Sequence, residues 1–94
     1  MRSRVASAIG EYARAHATLF ERAERLREKA ERLEKEGTPS ESARNRAERA
    51  KREVEAGLAA LRATFGASSR EERRAFDREI ERRYPDFRLS GGGH

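Results

Sequence analysis

Glu36-Gly37-Thr38-Pro39-Ser40-Glu41 stops one helix and starts another. Gly37 tolerates the left-handed backbone that closes a helix, and Thr38 suits an N-cap. Pro39 fits a first turn because its missing N–H would have no partner there, and Glu41 stands three residues after Thr38, as in a capping box. A connection this short returns the chain on itself, so the segment predicts an antiparallel helical hairpin. A second boundary, Gly66-Ala67-Ser68-Ser69-Arg70-Glu71-Glu72, offers the same capping chemistry twice, as Ser68 with Glu71 or Ser69 with Glu72. Pro85 then disfavours helical geometry at Tyr84. Three helices are expected, over 3–36, 39–65 and 69–83, in a single domain spanning 1–89, with 90–94 a flexible glycine-rich tail.

Outward from the turn, the first helix carries Val5, Ile9, Tyr12, His16, Leu19, Ala23, Leu26, Ala30 and Leu33 at alternating spacings of four and three, a coiled-coil-like seam. The second helix is Ala-rich on its matching face: Ala43, Ala47, Ala50, Val54, then Gly57 or Leu58, Leu61 and Phe65. In an antiparallel hairpin, Leu33 faces Ala43, Ala30 faces Ala47, Leu26 faces Ala50 and Ala23 faces Val54, so large meets small at most levels. His16 is expected to sit inside this seam near Leu61. Glu21/Arg25, Glu28/Arg32, Glu31/Lys35, Glu48/Arg52 and Glu79/Arg83 lie four apart with the acid first, each pair adding about 0.2–0.5 kcal/mol to an exposed helix. No strand pattern competes, and the fold class is all-α.

Composition limits what such a fold can do. The chain has 94 residues with 41% charged, and 16 of its 33 apolar residues are Ala, leaving 17 large side chains. A lone core of this size supplies about 3–5 kcal/mol, and without cysteine no disulfide can add to it. A partner chain can, so a homodimer assembled as a helical bundle is expected. The large residues gather at the open end of the hairpin and on the short third helix. Val5, Ile9, Tyr12, Phe65, Phe76, Ile80 and Tyr84 are the candidate interface, closed in cis or by a second chain. No apolar run approaches the roughly 20 residues that span a bilayer. The basic start is interrupted by Glu11 and Arg14 before an export core can form. A cytoplasmic location is expected, with no membrane partner.

Catalytic and cofactor patterns are lacking. Two histidines, His16 and His94, cannot assemble a histidine metal set or a triad, and neither GxGxxG nor GxxxxGK occurs. The carboxylates have Arg or Lys one turn away, which reads as solvated ion pairing and not as an acid held for catalysis. A non-enzymatic protein without cofactors is expected.

Charge is more informative. The net charge is +5, and Arg44-Asn45-Arg46-Ala47-Glu48-Arg49-Ala50-Lys51-Arg52 holds five cations against one acid. Arg44, Arg46, Arg49, Lys51 and Arg52 are the nucleic-acid candidates, since a planar guanidinium suits bidentate phosphate contacts. The alternative is a solvated face paired with Glu48, Glu53 and Glu55. The basic region of leucine-zipper proteins needs small residues where Glu48 and Arg49 stand. The hairpin resembles, in architecture alone, the small plasmid-encoded RNA-binding protein that dimerises into a four-helix bundle. Three functions follow as expectations. The first is a self-associating interaction or adaptor module that binds another macromolecule through charged helix faces. The others are a nucleic-acid accessory or regulatory protein acting through Arg44–Arg52, and an inhibitor or antitoxin-like protein gripping a partner with Phe76, Ile80 and Tyr84.

Overall fold

The computed structural model describes residues 3–38, 40–67 and 69–89. Among them are four helices and no strand: α1 (Arg4–Ala15), α2 (Ala17–Lys35), α3 (Glu41–Gly66) and α4 (Arg70–Arg83). The all-helical class is as expected, but the single helix expected over 3–36 is two. His16, expected within the seam, is exposed and non-helical, with φ −117° and ψ 32°. No glycine or proline causes the interruption. It falls where the chain passes between two compact units, one of residues 1–15 with 55–94 and the other of residues 16–54.

Helix ends follow local chemistry. At the close of α2, Gly37 takes φ +75° and its N–H donates to the Glu34 carbonyl, while the Thr38 N–H donates to Leu33 at 2.9 Å. This is the reciprocal closure that left-handed glycine permits. It also corrects the expected cap: the Thr38 N–H is used to finish α2, and Ser40 Oγ accepts from the Ala43 N–H at 3.2 Å to open α3. Pro39 lies outside the described residues, as do Ser68 and the expected tail 90–94. Ser69 caps α4 by accepting from the Glu72 N–H, and Ser3 caps α1 by accepting from Ala6. Tyr84 ends α4 at φ −134°, and a turn through Pro85 is closed by the Phe87 N–H donating to the Tyr84 carbonyl.

The unit formed by α1, the C-terminal part of α3 and α4 holds the larger core. Val5, Ile9, Leu58, Phe65, Phe76 and Ile80 are buried in it, with Ile9, Leu58 and Phe76 fully so. Each helix contributes one stripe, Val5/Ile9 and Phe76/Ile80 at i,i+4 and Leu58/Phe65 at i,i+7. Phe65 and Phe76 meet with ring centroids 6.1 Å apart and planes tilted by 38°, a favoured aromatic geometry. Full burial of each large side chain contributes about 1.5–3 kcal/mol. Polar ties close the flanks. Arg62 grips Asp77 with two hydrogen bonds, Nε to Oδ1 at 2.6 Å and Nη2 to Oδ2 at 3.0 Å, joining α3 to α4. Arg83 Nη2 donates to the Ala6 carbonyl, and the Arg4 guanidinium lies 5.7 Å from the Phe65 ring centroid and 3.7 Å from Glu72. The Arg4 and Arg83 contacts place α1 against α4.

The unit formed by α2 and the N-terminal part of α3 buries only Ala23, Ala50 and Val54. Leu19, Phe20, Leu26, Ala30, Leu33, Ala43 and Ala47 are half-buried. On its surface Arg27 bonds both Glu24 and Glu31, and Arg52 lies 3.6 Å from Glu48.

Gly57 shows why a glycine stands inside α3. A Cβ placed there would lie 1.8 Å from the Tyr12 hydroxyl and 3.0 Å from its ring carbon Cζ. Gly57→Ala should therefore lower the urea midpoint, although alanine is favoured over glycine by about 1 kcal/mol in a helix interior. Adding Tyr12→Phe removes the nearer obstruction and should recover most of the loss; equal midpoints for the single and double variants would show that the tyrosine is not the obstacle.

Candidate functional site

The basic stretch of α3 is the first candidate. Arg44, Arg46, Arg49 and Arg52 are exposed and Lys51 is half-buried, all on the part of α3 that belongs with α2. Helix geometry spreads them. At roughly 100° per residue, Arg44 and Lys51 fall on nearly the same line with Arg52 a short way round, whereas Arg46 and Arg49 lie on the far side of the solvent arc. The remaining arc is the stripe Ala43, Ala47, Ala50 and Val54. The five cations therefore form a collar and not a single row, and a duplex lying along α3 could touch about three of them at once. Arg52 is engaged with Glu48. Among the described residues, Arg44, Arg46 and Arg49 have no carboxylate at ion-pairing distance.

The second candidate is the apolar set. Val5, Ile9, Phe65, Phe76 and Ile80 are buried within the chain itself, so of the expected cis and trans closures the single chain uses the cis one. The Phe76/Ile80/Tyr84 stripe is divided: its first two members are core, and Tyr84 is half-buried, stacked on Phe87 with ring centroids 5.2 Å apart. Tyr12 is likewise half-buried, against Gly57. The backbone N–H of Arg88 donates to Glu55 at 2.8 Å and holds the segment after the turn against α3.

Two open clefts border this unit. One, between the starts of α1 and α4, is lined by Ser3, Arg4, Glu71, Glu72, Arg74 and Arg78, a mixture of signs that selects for neither anion nor cation. The other lies beside the end of α4, lined by apolar Ile80, Pro85, Phe87 and Leu89 and by charged Asp77, Glu81 and Arg88. The buried residues described are all apolar, and among the described residues no three His, Asp or Glu side chains are placed to hold a metal ion. No helix among them is long and apolar enough to cross a membrane.

Sequence reasoning missed the Arg62–Asp77 fork and the Arg4–Phe65 contact, which join residues far apart in the chain and leave no local pattern. Gly57, an isolated glycine in a helical run, was a usable signal for close approach at that position.

Two ionisable groups are shifted by these contacts. The Asp77 carboxylate holds the Arg62 guanidinium above its ordinary pKa, through hydrogen bonding first. Hydrogen bonds from Arg83 and then Arg82 hold Glu79 below the usual carboxylate value. A carboxylate with a depressed folded pKa contributes stability in full above its unfolded value of about 4.3, and that contribution disappears as the pH falls through the lower folded value. Glu79→Gln should thus cost stability at pH 7 and much less near pH 3, so that urea midpoints of variant and parent converge on acidification; a constant gap across that range would exclude the linkage. No protein-family model matches the chain, and no curated protein or solved structure matches it.

Proposed function

We propose that this protein is a non-enzymatic interaction module of the cytoplasm that self-associates and presents charged helix faces to another macromolecule. The observation that carries the reading is the unequal division of its apolar residues. The α1/α3/α4 unit buries six large side chains, whereas the α2/α3 unit buries two alanines and one valine and leaves Leu19, Phe20, Leu26 and Leu33 half covered. Helices with so little buried between them draw much of their stability from added contacts, and a partner laid along them supplies those contacts. We take α2 and the first part of α3 as the antiparallel hairpin that forms this binding arm, its apolar edge flanked by charge as interaction surfaces usually are, within a dimeric helical bundle. Affinity capture from the source cell should recover a discrete partner whose yield survives nuclease treatment and falls when Leu26 and Leu33 are both replaced by Glu; indifference to those substitutions would remove the arm from the reading.

A second reading, nucleic-acid binding, is favoured by Arg44, Arg46 and Arg49, which are exposed and have no ion pair among the described residues. Each phosphate contact contributes about −0.9 to the slope of log affinity against log salt on duplex DNA. With three contacts at a time the slope should be about −2.7, and Arg44→Ala should make it shallower by about 0.9. Fluorescence anisotropy with a labelled duplex at about 50 mM salt measures this, and no binding there would discard the reading. If nucleic acid is the partner, what is captured from the cell should vanish on nuclease treatment.

A further inference from the structure

Asn45 carries the chain's single carboxamide side chain; there is no second asparagine and no glutamine. It stands near the start of α3 between Arg44 and Arg46, among arginine, alanine and glutamate, which favour a helix more than asparagine does. Its side chain caps nothing. Ser40 opens α3, and Asn45 is exposed with no hydrogen-bond partner among the described residues. Helix stability therefore gives no reason for an amide at this position. Its surroundings do. Steps of roughly 100° per residue put Arg44 and Arg46 on opposite sides of Asn45, with Arg49 on the Arg46 side. Arg52, seven residues on, returns to nearly the same line as Asn45. Ala43, Ala47, Ala50 and Val54 take the reverse face. From 44 to 53, every residue but Ala47, Ala50 and Lys51 is exposed.

We propose that this face of α3 enters the major groove of duplex DNA, with Asn45 reading an adenine and Arg52 a guanine. The groove, about 12 Å wide, admits a helix about 10–12 Å across. Within it the middle of the exposed arc meets base edges, and the two borders meet the phosphates of the two strands. Asn45 and Arg52 are in the middle; Arg44 is at one border, and Arg46 and Arg49 lie toward the other. The asparagine amide donates to adenine N7 and accepts from its N6, and a guanidinium donates to guanine O6 and N7. Seven residues are about 10 Å of helix axis, or about three base-pair steps, which sets the separation of the two bases. The Glu48 carboxylate stands 3.6 Å from Nε of Arg52 and leaves both Nη groups for the base. From 44 to 53 the helix carries five cations and two acids, Glu48 and Glu53, so phosphate attraction alone is weak there and base contacts supply the remainder. The proposal rests on the nucleic-acid reading and names its substrate class. Duplex RNA does not fit, because side chains do not reach into its deep and narrow major groove.

The test selects duplexes from a random DNA pool with the full chain at about 50 mM salt, then measures the enriched site by fluorescence anisotropy. That site should hold an adenine and a guanine about three pairs apart. Asn45→Ala should weaken binding to it about tenfold and leave a scrambled duplex and the salt slope unchanged. Alanine favours the helix, so unfolding is not the cause of such a loss. An adenine analogue with carbon in place of N7 should weaken binding by the parent protein and cost Asn45→Ala nothing further. Arg44→Ala, by contrast, should weaken enriched and scrambled duplexes alike, as a phosphate contact does. Three results overturn the groove proposal while leaving the phosphate reading in place: salt-dependent binding without an enriched site, an enriched site indifferent to Asn45→Ala, and equal affinity for an RNA duplex of the same sequence. Absence of binding to any duplex overturns both and leaves the arm to a protein partner.

Discussion

Phe76 occupies the place where three helices converge. It is fully buried, its ring meets Phe65 from α3, and one turn further along α4 Ile80 continues the same stripe beside the α1 residues Val5 and Ile9. A chain with 17 large apolar residues can fill one such centre, not two. Filling it uses bulky side chains of α1, α3 and α4 and leaves the unit of α2 to pack on two alanines and a valine. The thin packing of Ala23 with Ala50 and Val54 in their unit and the half-covered leucines follow from where the few bulky side chains are used.

The charged residues take their roles from the same arrangement. Where they border the larger core they are fixed: Arg62 by Asp77, Arg83 by Glu79 and the Ala6 carbonyl, and Arg4 over Phe65. Arginine suits these positions because its planar fork reaches a carboxylate with two parallel bonds while its stem covers apolar surface. On the alanine-rich part of α3, Arg52 lies beside Glu48, and among the described residues Arg44, Arg46 and Arg49 are exposed with no carboxylate at ion-pairing distance. One residue type thus serves as a clamp in one unit and lies mostly exposed in the other.

Much of this was legible in the residues. Helix class, the left-handed glycine at position 37, the Ser69 cap and the end of α4 before Pro85 rest on short-range chemistry, which a sequence states directly. Thr38 was expected as the cap, but α3 opens at Glu41 and Ser40 takes that place, a choice between neighbouring hydroxyls that residue type alone does not make. The interruption at His16 was hidden for a different reason. The local residue types there favour continuity, and a sequence does not show that the chain passes from one compact unit to the other at that residue. For the candidate surfaces, the identity of the arginines could be read in advance, but their distribution into paired and unpaired sets depends on contacts such as Arg62 with Asp77, fifteen positions apart.

The helix α3 runs without interruption for 26 residues and takes part in both units. Starting a helix is the costly step, because several dihedrals must be fixed before the first hydrogen bond closes, while lengthening an existing one is nearly free. Once Leu58 and Phe65 have anchored the C-terminal half of α3, the half that carries Arg44 to Arg52 is extended from a turn already made. The weakly packed arm therefore inherits its order from a nucleus it did not have to supply, which lets a surface so rich in arginine be held in helical form by few apolar residues of its own.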